Sequence, residues 1–404
     1  MATDLMPALF EPAQGEDITI PMASNPLSPR VSSFLAEANF QDPHLVVDLE
    51  QVLLNYQNLD QAMPQAEIFY AVKANPERQI LQVLADSGSS FDAASLNEIE
   101  SCLTLGIDPD RISFGNTIKK QRDIAAAFQK GIRLFAFDSA EELGKLAESA
   151  PGSHVFCRVL VNCDGAEWPL SNKFGCSMEM AEQLMIEAQK LGLIPTGLSF
   201  HVGSQQTQIH QWGLALGQIK KLYSSLKLRG ITLTHINLGG GFPTQYTTDI
   251  PSIAAYGQGL EFALEQQFGD QIPKVLIEPG RYIVGNAGVI EAEVVLVAQK
   301  QEGDERRWVY LDIGIFSGLA ECMDEAIKYP ISILGKETCK EVGSVILAGP
   351  SCDSVDVLYK ETAYQLPLNL KAGDKVHIHS TGAYTSTYSS VGFNGFPPLK
   401  CVCI

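Results

Sequence analysis

From about residue 66 to residue 285, short apolar runs alternate with amphipathic stretches. The runs at 69–73, 90–93, 112–115, 134–138, 155–161, 198–202, 235–239 and 275–278 are rich in β-branched and aromatic residues. They are too short for helices, and turn signals bound them, so each predicts a buried strand. Between them, 79–88, 95–105, 120–130, 140–148, 178–191 and 211–228 carry apolar residues at helical spacing. Eight strands separated by helices predict an α/β chain with a parallel (β/α)8 barrel. Upstream, 32–40 and 50–63 read as helices flanking a strand at 44–49. Beyond Gly285 the helical period fades, and 291–298, 308–311, 344–347 and 375–379 read as strands joined by Gly-containing turns. The expected organisation is a partly disordered leader over 1–30, a barrel over 31–285, and a mostly β domain over 286–404.

Composition narrows the function classes without choosing one. The chain has 404 residues, 45% of them hydrophobic and 19% charged, enough for a sizeable core. A net charge of -18 lacks the basic footprint that nucleic acid or an anionic membrane surface requires. No apolar run is long enough to span a bilayer, and the acidic, Pro-rich start lacks a signal-peptide pattern. Nine scattered cysteines, without zinc-type pairs, suit a reducing cytoplasm. The expectation is a cytoplasmic protein acting on a small molecule.

One stretch changes that picture. Ile68-Phe69-Tyr70-Ala71-Val72-Lys73-Ala74-Asn75-Pro76 runs a buried strand directly into a lysine and a turn. Such a lysine either emerges into solvent or serves chemistry. Desolvation lowers an amine's pKa, and the neutral amine forms a Schiff base with a carbonyl. The carboxyl ends of barrel strands build the active site; Asp92 lies on the next strand, Arg158 lies within the fifth, and His201, Gly239-Gly240-Gly241 and Glu278 end later ones. Singly, these read as a core histidine, a tight turn or a surface ion pair. Together they describe a phosphate cradle of three glycines with Ser204 and Arg281, a flat imidazole, and a carboxylate for a ring nitrogen. With a Schiff-base lysine, that set spells pyridoxal 5'-phosphate. In the second domain, Gly349-Pro350-Ser351-Cys352-Asp353 sets a thiol on a loop, as an acid or as a small hydrophobe. The loops around Tyr384 and Phe393 read as pocket covers or as ordinary turns.

These motifs, in this order, resemble the fold-type III pyridoxal-phosphate decarboxylases, the ornithine and diaminopimelate decarboxylase group. The resemblance runs from about residue 30 to the C-terminus and includes Lys173-Phe174-Gly175 and Glu278-Pro279-Gly280-Arg281-Tyr282. It implies an alanine-racemase-like barrel, a β domain, and a homodimer with shared active sites. It further implies that Lys73 carries the cofactor, His201 stacks on its ring and Glu278 faces the pyridine nitrogen. Ser204, Gly239, Gly240, Gly241, Arg281 and Tyr384 would hold the phosphate, with Asp92 and Arg158 near the ring. Cys352 would reach across from a partner subunit as a proton donor, with Asp353 beside it at the substrate's distal amine.

The residues after Arg281 and Cys352 resemble the ornithine branch more than the diaminopimelate branch. In that branch an aspartate grips the distal amine; the matching segment here, Glu321-Cys322-Met323-Asp324-Glu325, is expected to offer Glu325, with Asp324 adjacent. Ornithine is the expected substrate, with lysine, arginine and diaminopimelate as alternatives. A racemase on the same barrel is another same-class alternative. A catalytically dead regulatory relative is the different-class alternative, and the retention of Lys73, His201, Glu278 and Cys352 together speaks against it. The loop from Asp164 to Pro169 carries no assignment.

Overall fold

The structure, a computed structural model, describes residues 19–23, 27–161, 164–168 and 173–404. Residues 1–18 and 24–26 of the expected leader fall outside these residues, whereas Thr19–Ile20 forms a short strand and a helix opens at Pro29. The eight strands Ala66–Ala71, Ser90–Ala93, Ile112–Phe114, Leu134–Phe137, His154–Arg158, Ile194–Ser199, His235–Asn237 and Lys274–Ile277 close into a barrel. Each runs parallel to its neighbour, and the eighth pairs back onto the first through Val275 beside Ala66. Leu45, Tyr70, Phe91, Phe135, Leu198 and Ile236 are among the side chains that fill the core.

Helices cover the outside, most of them where the apolar spacing predicts them. Ser95, Ser139 and Ser177 cap three of these helices, each accepting a backbone N–H from the first turn. The helix Ile253–Phe268 has no counterpart in the sequence reading. Gly257 and Gly259 weaken its helical signal, and packing explains both. A Cβ at 257 would lie 2.1 Å from the Ala62 carbonyl oxygen, and one at 259 would lie 2.5 Å from Ile209. The glycines are there for close approach, not for a break.

The second domain draws on both ends of the chain. Its sheet contains Gly288–Ala298, Arg307–Leu311, Ile331–Ile333, Val342–Ala348, Val357–Pro367, Lys375–His379 and Lys400–Cys403. The strand His44–Val47, although it precedes the barrel, pairs with Gly288–Ala298 and Lys400–Cys403, and Thr19–Ile20 pairs with Val357–Pro367. Residues 44–47 therefore belong structurally to the β sheet rather than to the barrel. The two domains meet at a glycine crossing. A Cβ on Gly288 would fall 2.3 Å from Gly382, whose own N–H donates to the Gly285 carbonyl at 2.9 Å. That crossing lays the loop holding Tyr384 over the carboxyl ends of the barrel strands.

Candidate active site

The first barrel strand ends at Ala71, and Lys73 sits just beyond it in the tight turn Val72–Ala74. The turn is held from three sides. Ala71 N–H donates to the Pro279 carbonyl, Tyr384 N–H donates to the Ala74 carbonyl, and Asn75 donates its amide to the Gly382 carbonyl at 2.9 Å. Asn75 is thus a strut between the domains, a role its place in an Asn-Pro turn did not reveal.

Lys73 opens into a cavity of about 300 Å³ at the carboxyl end of the barrel, roofed by the β domain. Asp92, Arg158, His201, Ser204, Gly240, Gly241, Glu278, Arg281 and Tyr384 line it, so nearly all of the expected cofactor set converges; Gly239 is not among the lining residues. Lys73 Nζ lies 3.4 Å from Asp92 Oδ2, and Asp92 Oδ1 accepts from Ser113 at 3.1 Å. The lysine pKa runs opposite to expectation. Burial pushes it down, but the carboxylates of Asp92 and Glu278 and the phenol of Tyr384 together outweigh burial and raise it. Its side chain is 45% accessible, so water in the cavity screens these partners in part. The amine therefore rests as an ammonium.

His201 and Glu278 are tuned the other way. Burial, then the cations of Arg158 and Lys73, hold the His201 pKa well below its usual value, and its Nδ1 accepts the Gly203 N–H at 3.0 Å. The result is a neutral, fixed, flat ring. Burial and the neighbouring Asp92 raise Glu278 to about 7, against the opposing pull of Lys73 and of its hydrogen bond from Asn237. Asn237 also accepts the Gly239 N–H at 2.9 Å, locking the carboxylate to the glycine run.

The glycine run is required by close approach. A Cβ at Gly239, Gly240 or Gly241 would meet a backbone oxygen at 2.2, 2.7 or 2.6 Å, and Gly239 and Gly241 have positive φ. Among the described residues, the N–H groups of Gly240 and Gly241 have no protein partner. Two such donors on a cavity wall suit a phosphate. Arg281 is buried at 3% accessibility and paired with Glu321, which also lines the cavity. Sequence reasoning missed Glu321, Asn116, Phe174 and Tyr388 on this wall. Phe174, over which Arg158 lies at 5.4 Å, was visible as part of a motif but not as a contact.

The residues expected at the substrate's far end do not line this cavity. Glu325 turns away, and its carboxylate accepts the backbone N–H groups of Lys360, Glu361 and Thr362. A carboxylate so engaged is anchoring a strand, and those bonds lower its pKa despite burial. Asp324 is exposed beside it, with φ 53. Cys352 and Asp353 lie on an exposed loop; Cys352 N–H donates to Asn394, and Asp353 accepts the Val355 N–H. Phe393 is exposed and packs on Phe316 at 4.8 Å. From the loop of residues 164–169, Ala166–Trp168 forms a ribbon with Ser204–Gln206; Pro169 lies outside the described residues.

A family model described as "Pyridoxal-dependent decarboxylase, pyridoxal binding domain" matches residues 49–285. The chain is 37% identical to a lysine/ornithine decarboxylase of Selenomonas ruminantium, over 88% of this chain and 87% of that one. Among solved structures, it is similar to the Selenomonas ruminantium lysine decarboxylase bound to PLP and cadaverine (34% identity, 95% of each chain, TM-score 0.84). It is also similar to a Vibrio vulnificus lysine/ornithine decarboxylase bound to cadaverine (29% identity, 94% of this chain and 99% of that one, TM-score 0.83). The open glycine amides, the neutral imidazole, the carboxylate poised near neutrality and the lysine within one cavity fit pyridoxal phosphate. The chain belongs to the ornithine, lysine and arginine decarboxylase family, and is a pyridoxal-phosphate enzyme that decarboxylates a basic amino acid.

Proposed function

We propose that the substrate is a diamino acid, ornithine first and lysine second, and that the working unit is a cytoplasmic homodimer with shared sites. The observation that carries this reading is the separation between the cavity and Cys352: one chain holds Lys73, His201 and Glu278 together, while its thiol loop faces solvent. Around that loop Val355, Val391, Phe393 and Phe396 are exposed, an apolar surface suited to a second copy. The eight cysteines among the described residues are all free, consistent with a reducing compartment.

Pyridoxal phosphate, when bound, supplies the electron sink that allows an α-carboxylate to leave as CO2. Lys73 would hold it covalently, the Gly240 and Gly241 amides would take its phosphate, the His201 ring would pack against its ring, and Glu278 would hold a proton at its ring nitrogen. The β domain roof limits water over Lys73. Cys352 Sγ of a second copy would serve as the proton donor to the substrate's Cα, and Asp353 of that copy would face the distal ammonium together with Asp324. A distal ammonium loses its water there, and a carboxylate must replace it. The 37% identity to a lysine/ornithine decarboxylase supports the diamino acid reading.

The test is CO2 release from ornithine, lysine and arginine by wild type, Asp324→Ala and Asp353→Ala. Either substitution should lower kcat/KM for diamino acids by the equivalent of roughly 3–5 kcal/mol, the cost of stranding a buried charge. Glu325→Asp should leave the substrate ratio unchanged, because its carboxylate holds backbone amides. A ratio that moves with Glu325 and not with Asp324 would overturn this reading. Mixed dimers of Lys73→Ala and Cys352→Ala subunits test the sharing: one intact site restores activity, and exchanged but inactive mixtures contradict it.

A further inference from the structure

Arg281 has five N–H groups, and the protein uses every one. Nε donates to Ser204 Oγ at 3.2 Å, and Nη2 donates to the same oxygen at 3.1 Å and to Glu321 Oε1 at 2.6 Å. Nη1 donates to the Tyr246 hydroxyl at 2.6 Å and to Glu321 Oε2 at 2.7 Å. The pair is a buried two-pronged one, with Arg281 and Glu321 side chains 3% and 4% accessible. Glu321 reaches it from the β domain, in the turn Ala320–Glu325, whereas Arg281 opens the short helix Arg281–Val284 after the eighth barrel strand. Both residues line the cofactor cavity.

An arginine in this state has no donor left for a phosphate, and the group that saturates it is itself an anion. The unused donors nearby are the Gly240 and Gly241 amides. A fork-to-fork pair between guanidinium and carboxylate is geometrically the same contact that a guanidinium makes with phosphate. Carboxylate and phosphate therefore compete for one face of Arg281.

We propose that Glu321 is a built-in competitor of the cofactor's phosphate, a positioning residue that holds Arg281 and thereby sets how tightly phosphate-bearing ligands bind. Glutamine in its place keeps the length but presents one acceptor instead of two and no charge, so at least one Arg281 donor is released toward the cavity. Because the competing contact joins the two domains, its strength also ties cofactor uptake to the domain junction.

The inference rests on the family's cofactor, and its test separates the two. Apoprotein is titrated with pyridoxal phosphate by absorbance and fluorescence, with pyridoxal lacking the phosphate, and with inorganic phosphate as competitor. Glu321→Gln should tighten pyridoxal phosphate and inorganic phosphate about tenfold, the equivalent of about one charge-assisted hydrogen bond, and leave pyridoxal unchanged. Glu321→Asp, which keeps the charge but shortens the reach, should tighten both by less. Placing Arg281→Met beneath Glu321→Gln should erase the gain. Equal or weaker phosphate affinity in a folded Glu321→Gln protein, an equal gain for pyridoxal, or a gain that survives Arg281→Met overturns the proposal. Failure of the cofactor assignment would look different: wild type itself would not bind pyridoxal phosphate.

Discussion

At the carboxyl ends of the barrel strands, Lys73, Asp92, Arg158, His201 and Glu278 face one cavity. At the amino ends, Glu67, Arg133, His154, His235 and Lys274 line another, of about 330 Å³. Both mouths carry acids, bases and a histidine depressed by burial, so a shifted titration does not by itself mark a site. What differs is the partners. At the amino end the charges settle locally: Glu67 pairs with Lys274, and Arg133 donates to the Phe128 and Ile132 carbonyls at 2.7 and 2.8 Å. At the carboxyl end the groups act on one another across open space, so Lys73 is held charged, His201 neutral and Glu278 near neutrality. The lesson is that convergence, together with unused backbone donors, separates a reactive mouth from a structural one.

Breaking the carboxyl mouth should have the largest effect. Lys73→Ala removes the only lysine on the cavity wall among the described residues, and CO2 release from any basic amino acid should fall below detection. Glu278→Gln should keep cofactor binding but lower kcat by about 10²–10³-fold, the usual scale for losing one preorganised electrostatic partner. Spectrophotometric titration checks the first half of that statement and steady-state kinetics the second. An unchanged kcat would remove Glu278 from the chemistry.

A smaller effect is expected behind the mouth. Lys119 is wholly buried, donating to the Asn116 and Ala136 carbonyls at 2.8 and 2.6 Å and pairing with Glu142 at 2.9 Å. It anchors the loop that presents Asn116 to the cavity. Lys119→Met strands Glu142, although Lys145 also pairs with that carboxylate, so urea denaturation should show a loss of roughly 3 kcal/mol.

The smallest effect belongs to the amino mouth and depends on pH. His235 is pushed down to about 4, by burial first and then by the Lys274 ammonium and the neighbouring His154. The unfolded chain protonates it near 6.5 while the folded chain does not, so its contribution is intact above about pH 6.5 and is lost as pH falls toward 4. The loss is about 3 kcal/mol at most across that window. Stability of His235→Gln should fall less steeply over the same range, with activity at neutral pH unchanged.

Most of this architecture was legible because local pattern and tertiary fold agree. The eight strands are short and apolar on both faces, as barrel strands must be. Lys73, His201 and Glu278 were legible because each closes such a strand. What was missed depends on contacts distant in sequence. The strand His44–Val47 reads locally as the start of the barrel, and only its pairing with Lys400–Cys403 reveals the sheet it joins. On sequence Glu325, with Asp324 adjacent, reads as the pocket carboxylate, and Glu321 four residues earlier carries no signal of its own. In the fold, with positive φ at Asp324 and Glu325, the Glu325 carboxylate accepts strand amides, and it is Glu321 that faces Arg281. The depressed Lys73 pKa expected from burial failed because three neighbours contributed by other elements outweigh desolvation.

That reversal leaves two lysines to compare directly. Lys119 is the one with the lowered pKa, about 8, and by amine reactivity alone it would be favoured, but its side chain has no accessible surface. Lys73 is the one whose ammonium opens into the cavity. Borohydride reduction of the cofactor-loaded protein, followed by peptide mapping, decides between position and reactivity. The label should fall on the peptide containing Lys73 and on no other; a label on Lys119, or on any lysine elsewhere, would contradict the assignment of this mouth as the active site.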